Sequence, residues 1–195
     1  MSQANNENEW ENRYQIGETG WDRGKTSDGL YFWLSNKLMQ PCRILVPGCG
    51  NGYEVLELVK RGFDVTAIDI APTAINNLQK MLDKHHLSAN LVLDDFFNWK
   101  PATPVDAIYE QTSLCALSPE RWQRYEKRLY DWLKSGGKLY AQFMQTGQEG
   151  GPPFHCALDD MRDLFKTERW KWSKAVNTQT MGTDKKELQY LLEKV

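Results

Sequence analysis

The sequence has no long apolar run. No stretch approaches the roughly 18 uninterrupted apolar residues that a membrane-spanning helix needs, and the first 30 residues are polar. Histidine is scarce, with three residues, and no CxxC pair or Cys/His cluster joins the four cysteines, Cys42, Cys49, Cys115 and Cys156. This pattern is typical of free thiols in a reducing compartment. We therefore expect an unexported, cytoplasmic protein without disulfides, bound metal or membrane contact.

The sequence also lacks an excess of charge of either sign. Its 24 basic and 26 acidic side chains give a net charge of -2, and no block of Lys or Arg marks a surface for polyanions. We therefore predict a small-molecule substrate and no binding to nucleic acid. With 195 residues, 41% of them hydrophobic, the chain fits one domain, residues 1–195, for which we take a monomer as the default. The polar segment 1–40 is predicted to be a lid on the body, 41–195.

From about Cys42 onward, short apolar runs alternate with amphipathic stretches. The predicted strands are 43–46, 63–68, 90–93, 105–109 and 138–143, and the predicted helices are 53–61, 72–85, 119–133 and 158–165, the third of them with Ser118 as its N-cap. Segments 168–177 and 186–193 read as two further strands joined by a turn at 181–184, which should pair antiparallel. The pattern predicts a doubly wound, mostly parallel seven-stranded α/β sheet with an antiparallel C-terminal hairpin.

A glycine-rich loop follows the first predicted strand. Gly48 and Gly50 of Gly48-Cys49-Gly50-Asn51-Gly52 can adopt positive φ and let a ligand approach bare backbone, although an ordinary turn is the alternative. Asp69 ends the second strand about twenty residues further on, where a carboxylate can accept hydrogen bonds from both hydroxyls of a ribose. A solvated acid at a strand end is the alternative there. Together the two features predict a site for a nucleotide-type cofactor.

Three details favour S-adenosylmethionine over a nicotinamide cofactor, although a dehydrogenase stays an alternative. Tyr53 stands where a dinucleotide fold has its third glycine. Asp95 and Phe96, after the third strand, offer a carboxylate and a ring to an adenine, unless they are an acidic cap and a core aromatic. The polar N-terminal segment carries three aromatic side chains that can enclose a sulfonium cation or pack a helix: Trp10, Tyr14 and Trp21.

These residues resemble the thiopurine S-methyltransferase superfamily, on its halide/thiol methyltransferase branch, over nearly the whole chain. The motifs that carry the resemblance are Trp10-x-x-x-Tyr14, Thr19-Gly20-Trp21-Asp22-x-Gly24, Val46-Pro47-Gly48-Cys49-Gly50-x-Gly52-Tyr53-Glu54, Asp69, Asp95-Phe96-Phe97, Glu110-Gln111-Thr112-Ser113-Leu114-Cys115-Ala116-Leu117 and Gly150-Gly151-Pro152-Pro153-Phe154. The resemblance implies a Rossmann-like methyltransferase fold with an N-terminal helical lid and S-adenosylmethionine as the cofactor.

The resemblance also assigns contacts to single residues. It implies that Gly48 contacts the methionine part of the cofactor, Asp69 its ribose and Gln111 its methionine end. It also implies that Asp95 and Phe96 contact the adenine, and that the cofactor is contacted by the three aromatic residues of the lid, Trp10, Tyr14 and Trp21. Relatives usually have a third Trp at the position of Tyr14, and Asp-Tyr or Asp-Arg at Glu110-Gln111. A neutral Gln cannot replace the charge of Arg, which disfavours a thiopurine-type substrate.

The predicted reaction is methyl transfer to a small soft nucleophile: a thiol, hydrogen sulfide, a halide or a related chalcogen species. In-line displacement by such a nucleophile needs no dedicated base. A thiol must still ionise, and Glu110, Tyr31 and His155 are the candidates for assisting this, each with a structural alternative. We expect Cys115 to be buried packing. The alternatives are an O- or N-methyltransferase of small molecules, a thiopurine-type enzyme, or a binder that senses S-adenosylmethionine or its product.

Overall fold

A computed structural model describes residues 3–174, 177–181 and 185–195 of the chain. The chain divides into two compact units, Met1–Lys100 and Pro101–Val195. No helix in the described ranges is both long enough and apolar enough to cross a membrane. The single domain with residues 1–40 as its lid stays a prediction.

The first unit is a three-stranded parallel sheet with four helices. The strands β1 (Arg43–Pro47), β2 (Asp64–Asp69) and β3 (Asn90–Leu93) stand in the order β3-β2-β1. Its helices are α1 (Gln3–Gln15), α2 (Asp28–Ser35), α3 (Tyr53–Lys60) and α4 (Pro72–Lys84). Both α3 and α4 bury one apolar stripe, which for α4 is Ala74, Leu78 and Leu82. This amphipathic spacing is why these segments form helices that pack on a sheet.

The second unit combines a parallel strand pair with three antiparallel strands. Its elements are β4 (Val105–Gln111), α5 (Ser113–Ala116), α6 (Trp122–Trp132), β5 (Leu133–Gln145), α7 (Leu158–Leu164), β6 (Trp170–Trp172), β7 (Asn177–Met181) and β8 (Lys185–Lys194). Strand β5 pairs parallel with β4 and antiparallel with β8, and β8 pairs antiparallel with both β6 and β7. Phe143 of β5 packs on Phe165 and Trp172, with ring centroids 5.7 and 5.8 Å away.

The ends of helix α6 depart from the sequence prediction. Ser118 makes no side-chain cap, and Pro119–Arg121 form a 3-10 turn before α6 begins at Trp122. The helix predicted over 119–133 ends at Trp132, and β5 starts at Leu133 with an irregularity at residues 135–137. Here Val105 pairs with Leu133 and Ala107 with Lys138, so the residues between Leu133 and Lys138 loop out, and Gly136 takes a φ of 71°. Glycine permits this bulge because the φ is positive.

The α/β class and the antiparallel C-terminal strands are confirmed, with eight strands in the described residues rather than seven. The predicted strand 168–177 is two strands, β6 and β7, separated along the chain. Of the predicted turn at 181–184, Met181 ends β7 and residues 182–184 lie outside the described residues. The four-residue helix α5 had no sequence signal.

Candidate functional site

The glycine loop runs from the end of β1 to the start of α3 with three residues at positive φ. These are Gly48 at 57°, Gly50 at 55° and Gly52 at 77°. A Cβ on Gly52 would lie 2.8 Å from Cδ2 and 2.9 Å from Cγ of Leu78, a buried residue of α4. Because glycine has no Cβ, the first turn of α3 can pack against α4. Gly52 is therefore the packing glycine of this loop.

Asp69 is buried at the end of β2 and holds the glycine loop in place. Its Oδ2 accepts a hydrogen bond from the N–H of Gly50 at 2.8 Å, and its Oδ1 accepts one from Ala71 at 2.9 Å. Burial raises the pKa of Asp69, while these backbone N–H groups act in the opposite direction. The backbone N–H of Ile70 also acts on Asp69 in this direction. An ionised carboxylate has about four lone-pair directions, so Asp69 keeps acceptor capacity for a further donor such as a hydroxyl group.

The three aromatic side chains of the N-terminal segment form one cluster beside this loop. Trp21 packs edge-on against Trp10 at 5.3 Å and against Tyr14 at 5.5 Å, measured between ring centroids. The hydroxyl of Tyr14 lies 3.4 Å from the point where a Cβ of Gly50 would stand. Burial raises the pKa of Tyr14, and the charge of Asp69 adds to this effect. The structure thus brings the aromatic residues, Gly50 and Asp69 together.

Helix α1 is docked on helix α4 by a carboxylate that the sequence analysis missed. Glu11 accepts hydrogen bonds from the N–H of Thr73 at 2.9 Å and from its hydroxyl at 2.6 Å. Thr73 is the second residue of α4, whose own N-cap, Ala71, supplies no side-chain acceptor. Glu11 therefore caps α4 across 62 residues of sequence. No local pattern could have shown a contact between residues so far apart.

The loop after α1 is fastened to the glycine loop and to α3. Asn51 donates a hydrogen bond from its side-chain amide to Asp22 at 2.5 Å, and Ser27 donates from its N–H to Glu54 at 2.8 Å. Both acceptors lie within the motifs that carry the family resemblance. These contacts tie the segment that carries Trp21 to the residues that follow β1.

Asp95 and Phe96 lie at the same end of the strands as Asp69, because the N–H of Asp94 bonds to the carbonyl of Asp69 at 3.1 Å. Oδ1 of Asp95 accepts from the N–H of Phe97 at 2.8 Å, so part of this carboxylate serves a local turn. Phe97 is a core residue, whereas Phe96 is half-buried. Phe96 is thus the ring of this pair with surface available to a ligand, and the adenine contact stays a prediction.

Glu110, the next-to-last residue of β4, is a buried carboxyl group, 1% exposed. Its Oε1 accepts a hydrogen bond from the N–H of Leu114 at 2.7 Å, while Oε2 has no hydrogen-bond partner in the part of the chain that the structure describes. Burial, and then the charge of Glu187, raise the pKa of Glu110 to about 8, and the N–H groups of Leu114 and Ser113 only partly oppose them. A carboxyl group of this kind can exchange a proton near neutral pH.

A row of hydrogen bonds within the second unit leads to Gln111, next to Glu110. Gln111 accepts from the hydroxyl of Tyr109 at 2.7 Å and donates to the carboxylate of Glu187 at 3.4 Å. Further back, Gln142 donates to Tyr109 at 2.7 Å, Gln189 donates to Gln142 at 3.2 Å, and Asn177 donates to Gln189 at 2.9 Å. Tyr109, Gln142, Glu187 and Gln189 are buried. The side chain of Gln111 is therefore held by polar partners from β4 and β8.

The other predicted residues have separate environments. Nδ1 of His155 accepts from the N–H groups of Thr146 at 3.0 Å and Gly147 at 3.2 Å, so this nitrogen orders its own loop. Tyr31 lies on α2 in the first unit and is 39% exposed. Cys115 is buried, and burial raises the pKa of its thiol. These surroundings leave Glu110 as the candidate whose geometry suits proton transfer.

Comparisons with known proteins identify the family of the chain. The family model for thiopurine S-methyltransferase (TPMT) matches residues 5–195. A probable thiol methyltransferase 2 of Arabidopsis thaliana is 30% identical over 85% of this chain and 74% of its own length. Thiocyanate methyltransferase 1 of Brassica oleracea is 30% identical over 80% of this chain and 70% of its own length.

Solved structures show the same fold. The 1,6-didemethyltoxoflavin-N1-methyltransferase of Burkholderia thailandensis, with bound S-adenosylhomocysteine, is 15% identical and superposes with a TM-score of 0.75 over 97% of this chain and 87% of its own. The predicted Rossmann-like methyltransferase fold is thereby confirmed. The chain belongs to the thiopurine S-methyltransferase family and is an S-adenosylmethionine-dependent methyltransferase.

Proposed function

We propose that the protein transfers a methyl group from S-adenosylmethionine to a small soft nucleophile, such as a thiol, hydrogen sulfide, a halide or a related chalcogen species. The observation that carries the proposal is the cluster around Gly50, where Tyr14 and the carboxylate of Asp69 meet the bare backbone of the loop. The activities that name the two plant relatives support the acceptor class. The neutral Gln111 supports a small acceptor over a thiopurine-type one.

The residues of the first unit fit the cofactor. Asp69 keeps acceptor capacity for a ribose hydroxyl beside its backbone partners, and the Gly48–Gly50 backbone can approach the methionine part without a Cβ in the way. Phe96 offers its exposed surface and Asp95 its carboxylate to the adenine. The family resemblance assigns Gln111 to the methionine end. When bound, S-adenosylmethionine supplies a methyl group on a positively charged sulfur.

The protein's part in the reaction is to bind, orient and exclude water. The faces of Trp10, Tyr14 and Trp21 attract a cation, and an enclosed site strengthens that attraction. A soft anion can displace the methyl group once it is held in line, so proximity and desolvation supply most of the acceleration. A thiol acceptor needs in addition a proton acceptor, for which Glu110 is the candidate.

An acceptor panel tests the proposal. Purified protein with S-adenosylmethionine is expected to release S-adenosylhomocysteine when a small alkanethiol, sulfide, iodide or thiocyanate is added. Turnover with hydroxyl or amine acceptors alone would show that the acceptor class is wrong. Binding of S-adenosylhomocysteine without turnover on any acceptor would favour a sensor.

The cofactor role of Asp69 can be tested separately with the variant Asp69→Ala. The substitution removes the acceptor for the ribose hydroxyls and for the N–H of Gly50, so we expect cofactor affinity to fall by tenfold or more, about 1.4 kcal/mol, in calorimetry. Asp64→Ala is the matched control, since Asp64 begins the same strand and is exposed. Equal dissociation constants for the two variants would refute the assignment.

A further inference from the structure

Glu110 is the one buried carboxyl group of the second unit with an oxygen that lacks a hydrogen bond within the described residues. Glu126, also buried there, uses both oxygens, one for Trp170 and one for Arg169. A buried polar atom without a partner is costly, and proteins keep such atoms where a ligand or a reaction uses them. Oε2 of Glu110 therefore has a hydrogen-bond partner still to bind.

The groups around Glu110 set which donor this is. Leu114 and Ser113 of α5 direct N–H groups at the carboxyl group, and Glu187 of β8 acts on it as a like charge. The charge of Glu110 in turn raises the pKa of three neighbouring titratable groups, Cys115, Cys156 and Tyr125. None of the charged side chains that act on Glu110 is a cation. An anion beside the ionised form of this carboxyl group would meet like charge, whereas a neutral molecule that carries its own proton would meet an acceptor.

On the basis of the proposed function, we propose that the acceptor reaches Glu110 as a neutral small thiol or hydrogen sulfide, which gives its proton to Oε2, and that Glu187 is the positioning residue for this proton transfer. Preformed anions such as iodide and thiocyanate are then poor acceptors. The proposal distinguishes this chain from a thiocyanate methyltransferase, the activity that names one of its relatives.

The step balances in protons and electrons. The S–H bond breaks and its proton moves to the ionised Oε2 of Glu110, so the sulfur keeps the bonding pair. That pair forms the new bond from sulfur to the methyl carbon while the bond between methyl and sulfonium breaks and its pair stays on the departing sulfur. The proton on Glu110 then returns to water before the next turnover. No oxidant, reductant or metal is needed.

Glu187 acts on this step in two ways. Its charge raises the affinity of Glu110 for a proton, and its carboxylate accepts the hydrogen bond that orients the amide of Gln111, the neighbour of Glu110 in β4. Glu187 is fully buried, so its charge is poorly screened by salt. We call it a positioning residue because these effects pass through Glu110 and Gln111.

The pH dependence of kcat/KM distinguishes a neutral thiol acceptor from a preformed anion. The measurement uses saturating S-adenosylmethionine and two thiols whose own pKa values lie on either side of 8. For a thiol whose pKa lies well above 8 we expect a rising limb centred close to pH 8, the pKa of Glu110. For a thiol whose pKa lies below 8, the requirement for a neutral thiol and an ionised Glu110 predicts a bell that rises at the pKa of the thiol and falls close to pH 8. Iodide and thiocyanate, which do not titrate here, should react about tenfold less well and lose activity as pH rises through the same value. An equal or higher kcat/KM for either anion would overturn the proposal.

Single substitutions test the roles of Glu110 and Glu187. Glu110→Gln keeps an oxygen for Leu114 and should lower kcat/KM for thiols by about 100-fold while removing the limb close to pH 8. Glu187→Gln should move the limb to lower pH, because the like charge is gone. Glu126→Gln is the matched control, a buried glutamate of the same unit, and should leave the limb where it is. A limb at the same pH in Glu187→Gln would overturn the role of Glu187.

A measurement without turnover keeps this inference separate from the proposed function. Carbon-13 NMR of side-chain-labelled glutamate, with the Glu110 signal assigned by its loss in Glu110→Gln, gives the titration midpoint of the carboxyl group directly. The midpoint should be lower in Glu187→Gln than in the wild type. Equal midpoints overturn the coupling whether or not any acceptor is methylated, whereas failure of every acceptor overturns the proposed function alone.

Discussion

Replacing Gly52 by alanine tests whether the third glycine of the loop is required for packing. Its φ of 77° costs an L-residue roughly 1–2 kcal/mol. The new Cβ would also lie 2.8 and 2.9 Å from two atoms of Leu78, and overpacking of a core typically costs about 1–3 kcal/mol. We therefore expect Gly52→Ala to lower the free energy of unfolding by roughly 2–5 kcal/mol.

Gly62→Ala is the matched control for this substitution. Gly62 has a similar φ of 84°, follows the other end of α3, and has nothing within 4 Å of its Cβ position. Its loss should be roughly 1–2 kcal/mol, so the difference between the variants isolates the contact with Leu78. Urea unfolding followed by tryptophan fluorescence gives both values. Equal losses in the two variants would refute the packing role of Gly52.

Three further substitutions probe other contacts. Glu110→Gln should be more stable than the wild type, by an amount that grows between pH 5 and 8. The wild type loses stability over this range because the pKa of Glu110 is about 8 in the folded protein and 4.5 in the unfolded chain. At pH 7 the difference in the free energy of unfolding should be about 3 kcal/mol, measured by thermal unfolding. Glu11→Ala should speed hydrogen exchange in α1 and the first turn of α4, because the cap on α4 is lost. Acidification should do the same once Glu11 is protonated, which occurs below its ordinary pKa because hydrogen bonds from Thr73 lower the pKa of Glu11 despite its partial burial. Lys194→Met should cost about 1–3 kcal/mol in urea, because the ammonium group donates to the carbonyl of Tyr130 at 2.7 Å; an unchanged midpoint would refute this.

Local patterns in the sequence were sufficient for the strands that border the glycine loop. The strands that start at Arg43, Asp64 and Asn90 are short apolar segments bounded by glycine, proline or polar residues, and their order along the chain implies parallel pairing. The position of Asp69 at a strand end follows from the same pattern. These features are local, so a sequence shows them.

Contacts between distant residues could not be predicted in this way. Nothing in the sequence near Glu11 indicates that it caps a helix 62 residues away. The buried Gln142 and Glu187 break the apolar pattern of their strands, and polar side chains there suggest an exposed face rather than a buried network. Their hydrogen bonds explain their burial, and those depend on pairing between β5 and β8. The extended β5 was missed because Ser135-Gly136-Gly137 is typical of a helix stop.

The row of hydrogen bonds from Asn177 to Glu187 has a direction. Asn177 donates to Gln189, and the three glutamines accept at oxygen and donate from nitrogen, with the hydroxyl of Tyr109 between Gln142 and Gln111. The row ends on a carboxylate, which can only accept when ionised. That terminal anion dictates the rotation of every amide before it, since reversing one would set two like groups against each other. Substitutions of Asn177 or Gln189 in the C-terminal strands can therefore reorient Gln111 without touching it, and so act from a distance on the cofactor contact proposed for it.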